Sequence, residues 1–179
     1  MNSEKFIINL MDQIKELQIK LGYARETVRL YYPVESLNAL FGIHASDAQE
    51  MVHILRNHPD FSDSHLGTLD FCVYAGRIQV SIPAQGVEYV HEKMETPAFL
   101  SDIVLLFQTN HHCTLNDVKA VFEKYSKDYV CEKMPEGTDF DYCMHFKDAQ
   151  IDAWYYCIKN EMEHMIYHRF TKEDYELLI

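Results

Sequence analysis

Two runs of alternating residues, separated by two small ones, constrain this chain more than any other feature. Leu69, Phe71 and Val73 alternate with Asp70, Cys72 and Tyr74, and Ile78, Val80 and Ile82 alternate with Arg77, Gln79 and Ser81. Successive side chains of a strand point to opposite faces, so each run builds one apolar and one polar face. Ala75-Gly76 lies between them and has the length of a tight hairpin turn. With these two residues in the turn, Val73 faces Ile78, Phe71 faces Val80 and Leu69 faces Ile82, so all the apolar side chains share one side. A slip of one residue would turn one strand's apolar set toward water, which fixes the register.

That apolar face needs a cover, and the surrounding sequence supplies helices. Phe6, Ile7, Leu10, Ile14, Leu17 and Leu21 recur at helical spacing, with Asn2 or Ser3 as N-cap and Gly22 as the stop. Residues 27–33 are rich in β-branched and aromatic side chains and end at Pro33, which suits a short edge strand. Residues 34–42 read as helix, and Ser46-Asp-Ala-Gln49 has the spacing of a capping box opening a helix to about Asn57. Beyond the hairpin, helices are expected over 86–94, over 97–109 behind Thr96 and Pro97, and from the Thr114-Leu-Asn-Asp117 box to Tyr125. A second hairpin is expected at 129–134 and 139–146 around Pro135-Glu-Gly-Thr138. The longest helix is expected at about 148–169, and Thr171-Lys-Glu-Asp174 opens a final short one.

Hairpins grouped with blocks of helices predict an α+β fold, a small antiparallel sheet built from β-hairpins and covered by several amphipathic helices. No linker-like stretch interrupts residues 1–179, which predicts a single domain. The Gly-rich turns of a doubly wound sheet are missing, as are GxGxxG, GxxxxGK[ST] and GxSxG. Tyr89-Val-His-Glu-Lys-Met94 and Tyr129-Val-Cys-Glu-Lys-Met134 match at five of six positions. The first falls on an expected helix and the second on an expected strand, so they do not mark a structural repeat.

Charge narrows the function. Lys plus Arg number 16 against 28 Asp plus Glu, a net −12, so a duplex nucleic-acid or anionic-membrane binder is not expected. The longest apolar runs, such as residues 103–107, fall far short of the roughly 20 residues a membrane span needs. The N-terminus lacks the basic and apolar regions of a leader, which predicts a cytoplasmic protein. Cys72, Cys113, Cys131, Cys143 and Cys157 are odd in number and form no CxxC, so free buried thiols are expected.

Four groups of residues could carry chemistry. On the expected long helix, Cys157, Glu161, His164 and His168 are spaced 4, 3 and 4, which places them within an arc of roughly 60°. Such a stripe can hold Zn or Fe, with Glu161 as third ligand or general base. Within residues 57–65, His58, Asp60, Asp63 and His65 offer hard oxygen and imidazole donors for a divalent ion, in a segment whose composition equally makes a turn. His111-His112-Cys113 precedes a helix N-terminus, where the dipole is expected to lower the thiol's pKa. Glu132, Glu136, Asp139, Asp141, Asp148 and Asp152, interleaved with aromatic residues including Tyr142 and Tyr156, have the composition of a surface for a basic partner.

Arg29-Leu-Tyr-Tyr-Pro33, Gly86-Val-Glu-Tyr-Val-His91 and residues 167–175 resemble segments of a domain-of-unknown-function family of uncharacterised proteins from anaerobic gut bacteria. The resemblance implies a bacterial cytoplasmic protein and supplies no activity, cofactor or site. Two readings therefore stand at the level of sequence. The leading one is a non-enzymatic acidic module that binds a protein partner and needs no cofactor. The alternative is a metal-dependent enzyme using the Cys157, Glu161, His164 and His168 stripe.

Overall fold

The computed structural model describes residues 2–162 and 164–179 and is α+β, with helices and two antiparallel sheets. Its contacts divide into two compact units, Met1–Glu95 and Thr96–Ile179.

The first unit is built on the expected hairpin. Strands β2 (Asp70–Tyr74) and β3 (Arg77–Ile82) pair antiparallel with Val73 opposite Ile78 and Phe71 opposite Val80, while Leu69 stands just outside the strand. Ala75 and Gly76 both take positive φ (48° and 77°), the primed geometry whose twist matches the strands it joins. Strand β1 (Val28–Tyr32) adds to the other side of β3 and gives the order β1-β3-β2.

Phe71, Ile78, Val80 and Ile82 are buried against Phe6, Leu10 and Ile14 of α1 (Ser3–Leu21), Leu37 and Phe41 of α2 (Val34–Phe41) and Met51 and Leu55 of α3 (Ala48–Arg56). The Asn38 side chain clamps the chain after α2, accepting from Ala45 N at 2.8 Å and donating to Ala45 O at 3.0 Å. Helix α3 starts one residue later than the Ser-x-x-Gln pattern implied. Asp47 is the N-cap, and Glu50 rather than Gln49 reaches back to Ser46, because a carboxylate accepts both the Ser46 N–H and its hydroxyl. Helix α4 (Ala84–Lys93) closes against α1, where Gln18 Nε2 donates to Val87 O. A Cβ on Gly86 would lie 2.2 Å from Leu66 O, so the approach of this helix to the 58–69 segment requires glycine.

The second unit carries the order β4-β5-β6-β7, from β4 (Tyr129–Lys133), β5 (Tyr142–Phe146), β6 (Tyr155–Glu161) and β7 (His164–Phe170). Helices α5 (Ala98–Thr109) and α6 (Leu115–Tyr125) cover one face, where Phe99 and Phe122 meet Phe146 and Tyr156 edge-on or tilted at 4.7–5.8 Å. Asp102 of α5 accepts from Lys124 Nζ and the Tyr125 hydroxyl of α6, which holds its carboxyl below the usual carboxylate range. The Thr114 capping box forms as expected, with Asp117 reaching back to the Thr114 N–H. The short C-terminal helix α7 (Lys172–Leu178) covers the opposite face through Tyr175 and Leu178.

The helix expected at 148–169 does not exist. Residues 155–170 form the β6–β7 hairpin instead, with Tyr155 opposite Phe170 and Glu161 opposite His164. Two causes explain the difference. The sheet is covered on both faces, so Tyr156, Cys157 and Ile158 are buried consecutively and the period-two signature disappears. The turn also lacks glycine and proline: Met162 itself adopts φ 49°. What remained in the sequence was an apolar recurrence that fits a helix, set in a run of Trp, Tyr, Ile and Phe that favours strands.

Candidate functional site

Because β6 and β7 are strands, Cys157, Glu161, His164 and His168 occupy different places from those a helix would give them. Cys157 stands opposite His168 and Glu161 opposite His164, all on one face, but the two pairs are four residues apart. At about 3.3 Å per residue that separation is roughly 13 Å, too far for four ligands of one ion. Cys157 is fully buried, whereas Glu161, His164 and His168 are exposed. His164 Nδ1 donates to the carbonyl of His111 at 2.8 Å, so this nitrogen carries the proton. Among the described residues, no group of three or more His, Cys, Asp or Glu side chains is placed to hold a metal ion.

The 57–65 segment folds as a 3-10 turn at Pro59–Phe61, pinned by the buried Phe61. Its donors are dispersed into local contacts: Asp60 accepts from the Ser3 hydroxyl, His58 lies 3.7 Å from Asp60, and His65 stacks on Tyr89 at 5.3 Å. Asp60, Asp63 and His65 do share the wall of a cavity of about 570 Å³ with Glu4, Ile8 and Met11 of α1. Cys113, expected to be acidified by the α6 dipole, is pushed up to about 11, chiefly by burial and further by the negative charge of Asp117. The first-turn carboxylate of the capping box and the loss of hydration outweigh the dipole here.

The acidic residues divide into three sets. Glu132 lies on the α7 face and accepts from the Tyr175 hydroxyl at 2.5 Å. Asp148 and Asp152 lie in the β5–β6 connection, where Asp148 accepts from Gln150 N and Asp152 from Trp154 N and the Tyr156 hydroxyl. Tyr156, expected on a partner surface, is 1% exposed and belongs to the core. Its ring faces Phe99 because residues 155–161 are a strand between two covered faces.

The third set collects at the other end of β5. Asp141 joins three strands there: its carbonyl accepts from Met134 N, its N–H donates to Ile158 O, and its carboxylate accepts from Asn160 N at 2.7 Å. These bonds draw the β4–β5 loop, with exposed Glu136 and Asp139, to the β6–β7 turn, where Glu161 is exposed and Met162 is 91% exposed. Tyr142 is half-buried beside them, opposite Ile158. Sequence proximity alone did not bring Glu161 into this group; the strand pairing does.

Helices long and apolar enough to cross a membrane are absent among the described residues. No curated protein and no solved structure matches the chain. A family model does match, over residues 3–179, and its description reads "Domain of unknown function, E. rectale Gene description (DUF3877)"; the chain belongs to that family.

Proposed function

We propose that this member of the family is a non-enzymatic module that binds a basic protein through the acidic end of its four-stranded sheet. One observation carries the reading. The Asp141 carboxylate bridges to Asn160 N at 2.7 Å, and this fastens two loops so that Glu136, Asp139 and Glu161 project from one end with Met162 among them. Glu161 ends a paired strand, and Glu136 and Asp139 lie in a loop fastened to that strand, so these carboxylates need little ordering to meet a partner, which lowers the entropic cost of association. Exposed carboxylates give steering and register, and a methionine offers adaptable apolar contact. The overall charge of −12 favours encounter with a cation-rich surface. The acids of the β5–β6 connection and Glu132 serve folding in this reading, since each accepts hydrogen bonds from its own chain.

The test is binding of a lysine- and arginine-rich peptide, measured by calorimetry across a salt series. The triple variant Glu136→Lys, Asp139→Lys and Glu161→Lys is expected to weaken binding by about tenfold or more. A control triple with the same change in net charge, Glu35→Lys, Glu92→Lys and Glu95→Lys in the first unit, is expected to bind nearly as the wild type does. Equal loss in both triples would leave only net charge and overturn the site. Affinity unchanged between low and molar salt would overturn its electrostatic basis.

A further inference from the structure

We infer that Cys143 and Cys157 are a modification site, a dithiol that closes to a cross-strand disulfide on reaction with a low-molecular-weight disulfide, with α7 gating its access. The two residues are direct partners in the β5–β6 ladder and lie on the same face. Both are free and fully buried, and their thiols share a hydrogen bond. Directly opposite residues in an antiparallel pair have Cα atoms about 4.5–5.5 Å apart, inside the range of about 4.4–6.8 Å that a disulfide spans. Closure therefore requires no strand movement. The remaining cysteines are placed elsewhere: Cys131 faces the opposite side of the sheet beside Met144, Cys113 precedes α6, and Cys72 lies on β2.

Access is what limits the reaction. The pair sits beneath Tyr175 and Leu178 of α7, together with Met134, Phe140, Tyr155 and Phe170. Tyr175 stacks on Tyr155 at 4.7 Å and donates to Glu132, which is the ladder partner of Cys143. The hydrogen bond from Cys157 and the loss of hydration both push the Cys143 thiol up, so covered Cys143 stays a thiol rather than the nucleophilic thiolate. α7 is a seven-residue helix outside the β4-β5-β6-β7 ladder, so lifting it exposes the pair without breaking a strand pairing.

Once the pair is exposed, one thiol loses its proton and attacks the small disulfide R–S–S–R. A mixed disulfide forms, the R–S–S–R bond breaks, and the departing R–S⁻ takes up the proton. The second thiol then attacks the protein-side sulfur, the second R–S⁻ leaves and is protonated, and the Cys143–Cys157 bond closes. Two protein thiols are oxidised and one small disulfide is reduced to two thiols.

The test incubates the full chain with oxidised glutathione, quenches with acid, alkylates remaining thiols under denaturing conditions and reads intact mass and a non-reducing peptide map. The expected product has lost two hydrogen atoms, retains no glutathione and links the peptides of Cys143 and Cys157. Cys157→Ser is expected to stop at one retained glutathione on Cys143. Tyr175→Ala is expected to close the bond roughly tenfold faster or more, because exchange through an opened state follows the population of that state. Leu178→Ala provides the same comparison if the tyrosine variant does not fold. A map linking any other cysteines, or a wild type that keeps glutathione or all five thiols when the denatured chain oxidises fully, would overturn the pairing. Unchanged rates in both α7 variants would overturn the gate.

Discussion

The two sheets of this molecule differ in how many of their faces are covered. In the first unit, β3 alternates buried Ile78, Val80 and Ile82 with more exposed Arg77, Gln79 and Ser81, because helices pack on one side alone. In the second, β6 buries Tyr156, Cys157 and Ile158 in succession, since α5 and α6 lie on one side and α7 on the other. A sheet with one wet face writes its geometry into the sequence as alternation, and a sheet with none erases it.

The sharpest way to break this contrast is to place a charge on the second face of each sheet. Cys143→Lys would bury an uncompensated ammonium beneath α7 and is expected to cost several kcal/mol, on the order of the whole stability of a small unit. Gln79→Lys, on the open face of the first sheet, is expected to stay within about 0.5 kcal/mol of wild type. Denaturant midpoints of the two variants decide it, and equal losses would mean that the first sheet is covered on both faces too.

A smaller effect separates the units on the alkaline side. Burial pulls Lys15 of α1 below its ordinary 10.5, so the unfolded state holds a proton that the native state has released. Native stability in the first unit therefore rises with pH up to about that value. Cys113 moves the other way, from 9.0 to about 11, so the unfolded state loses its proton first and stability of the second unit falls as pH climbs from 9 through 11. Hydrogen exchange compared between wild type and Lys15→Met should lose the upward trend in residues 1–95, and Cys113→Ala should lose part of the downward trend in residues 96–179.

The smallest expected change lies in the turn that made the first hairpin legible. Ala75 holds φ 48°, a region costly for alanine and accepted more readily by asparagine. Ala75→Asn is expected to gain about 0.5 kcal/mol, read as a higher thermal midpoint with the hairpin register unchanged.

The same contrast explains what the sequence could reveal. The β2–β3 register, helix α1, the Thr114 capping box and the Thr171 start of α7 were legible because each rests on short-range patterns: alternation, a 3.6-residue recurrence, or a side chain reaching three residues along. The two copies of the Tyr-Val-x-Glu-Lys-Met segment do fall, up to their lysines, on a helix, α4, and on a strand, β4, as expected. The β6–β7 hairpin was illegible because its turn uses Met162 in a glycine-like conformation and β6 buries three consecutive residues, Tyr156, Cys157 and Ile158. That error reached the candidate sites. It turned four side chains from two ends of a hairpin into one helical stripe, and it counted Tyr156 as surface when it is core. It also hid Glu161 from the acidic end, since only long-range strand pairing carries that residue to Asp141 and the β4–β5 loop.

Backbone amide shifts, followed while the labelled chain is titrated with the basic peptide, test the central claim most directly. The account predicts saturable perturbations centred on residues 136–141 and 160–162, with the 148–152 connection and the first unit nearly unchanged. Perturbations scattered over exposed acids throughout the chain, or centred in residues 1–95, would contradict it.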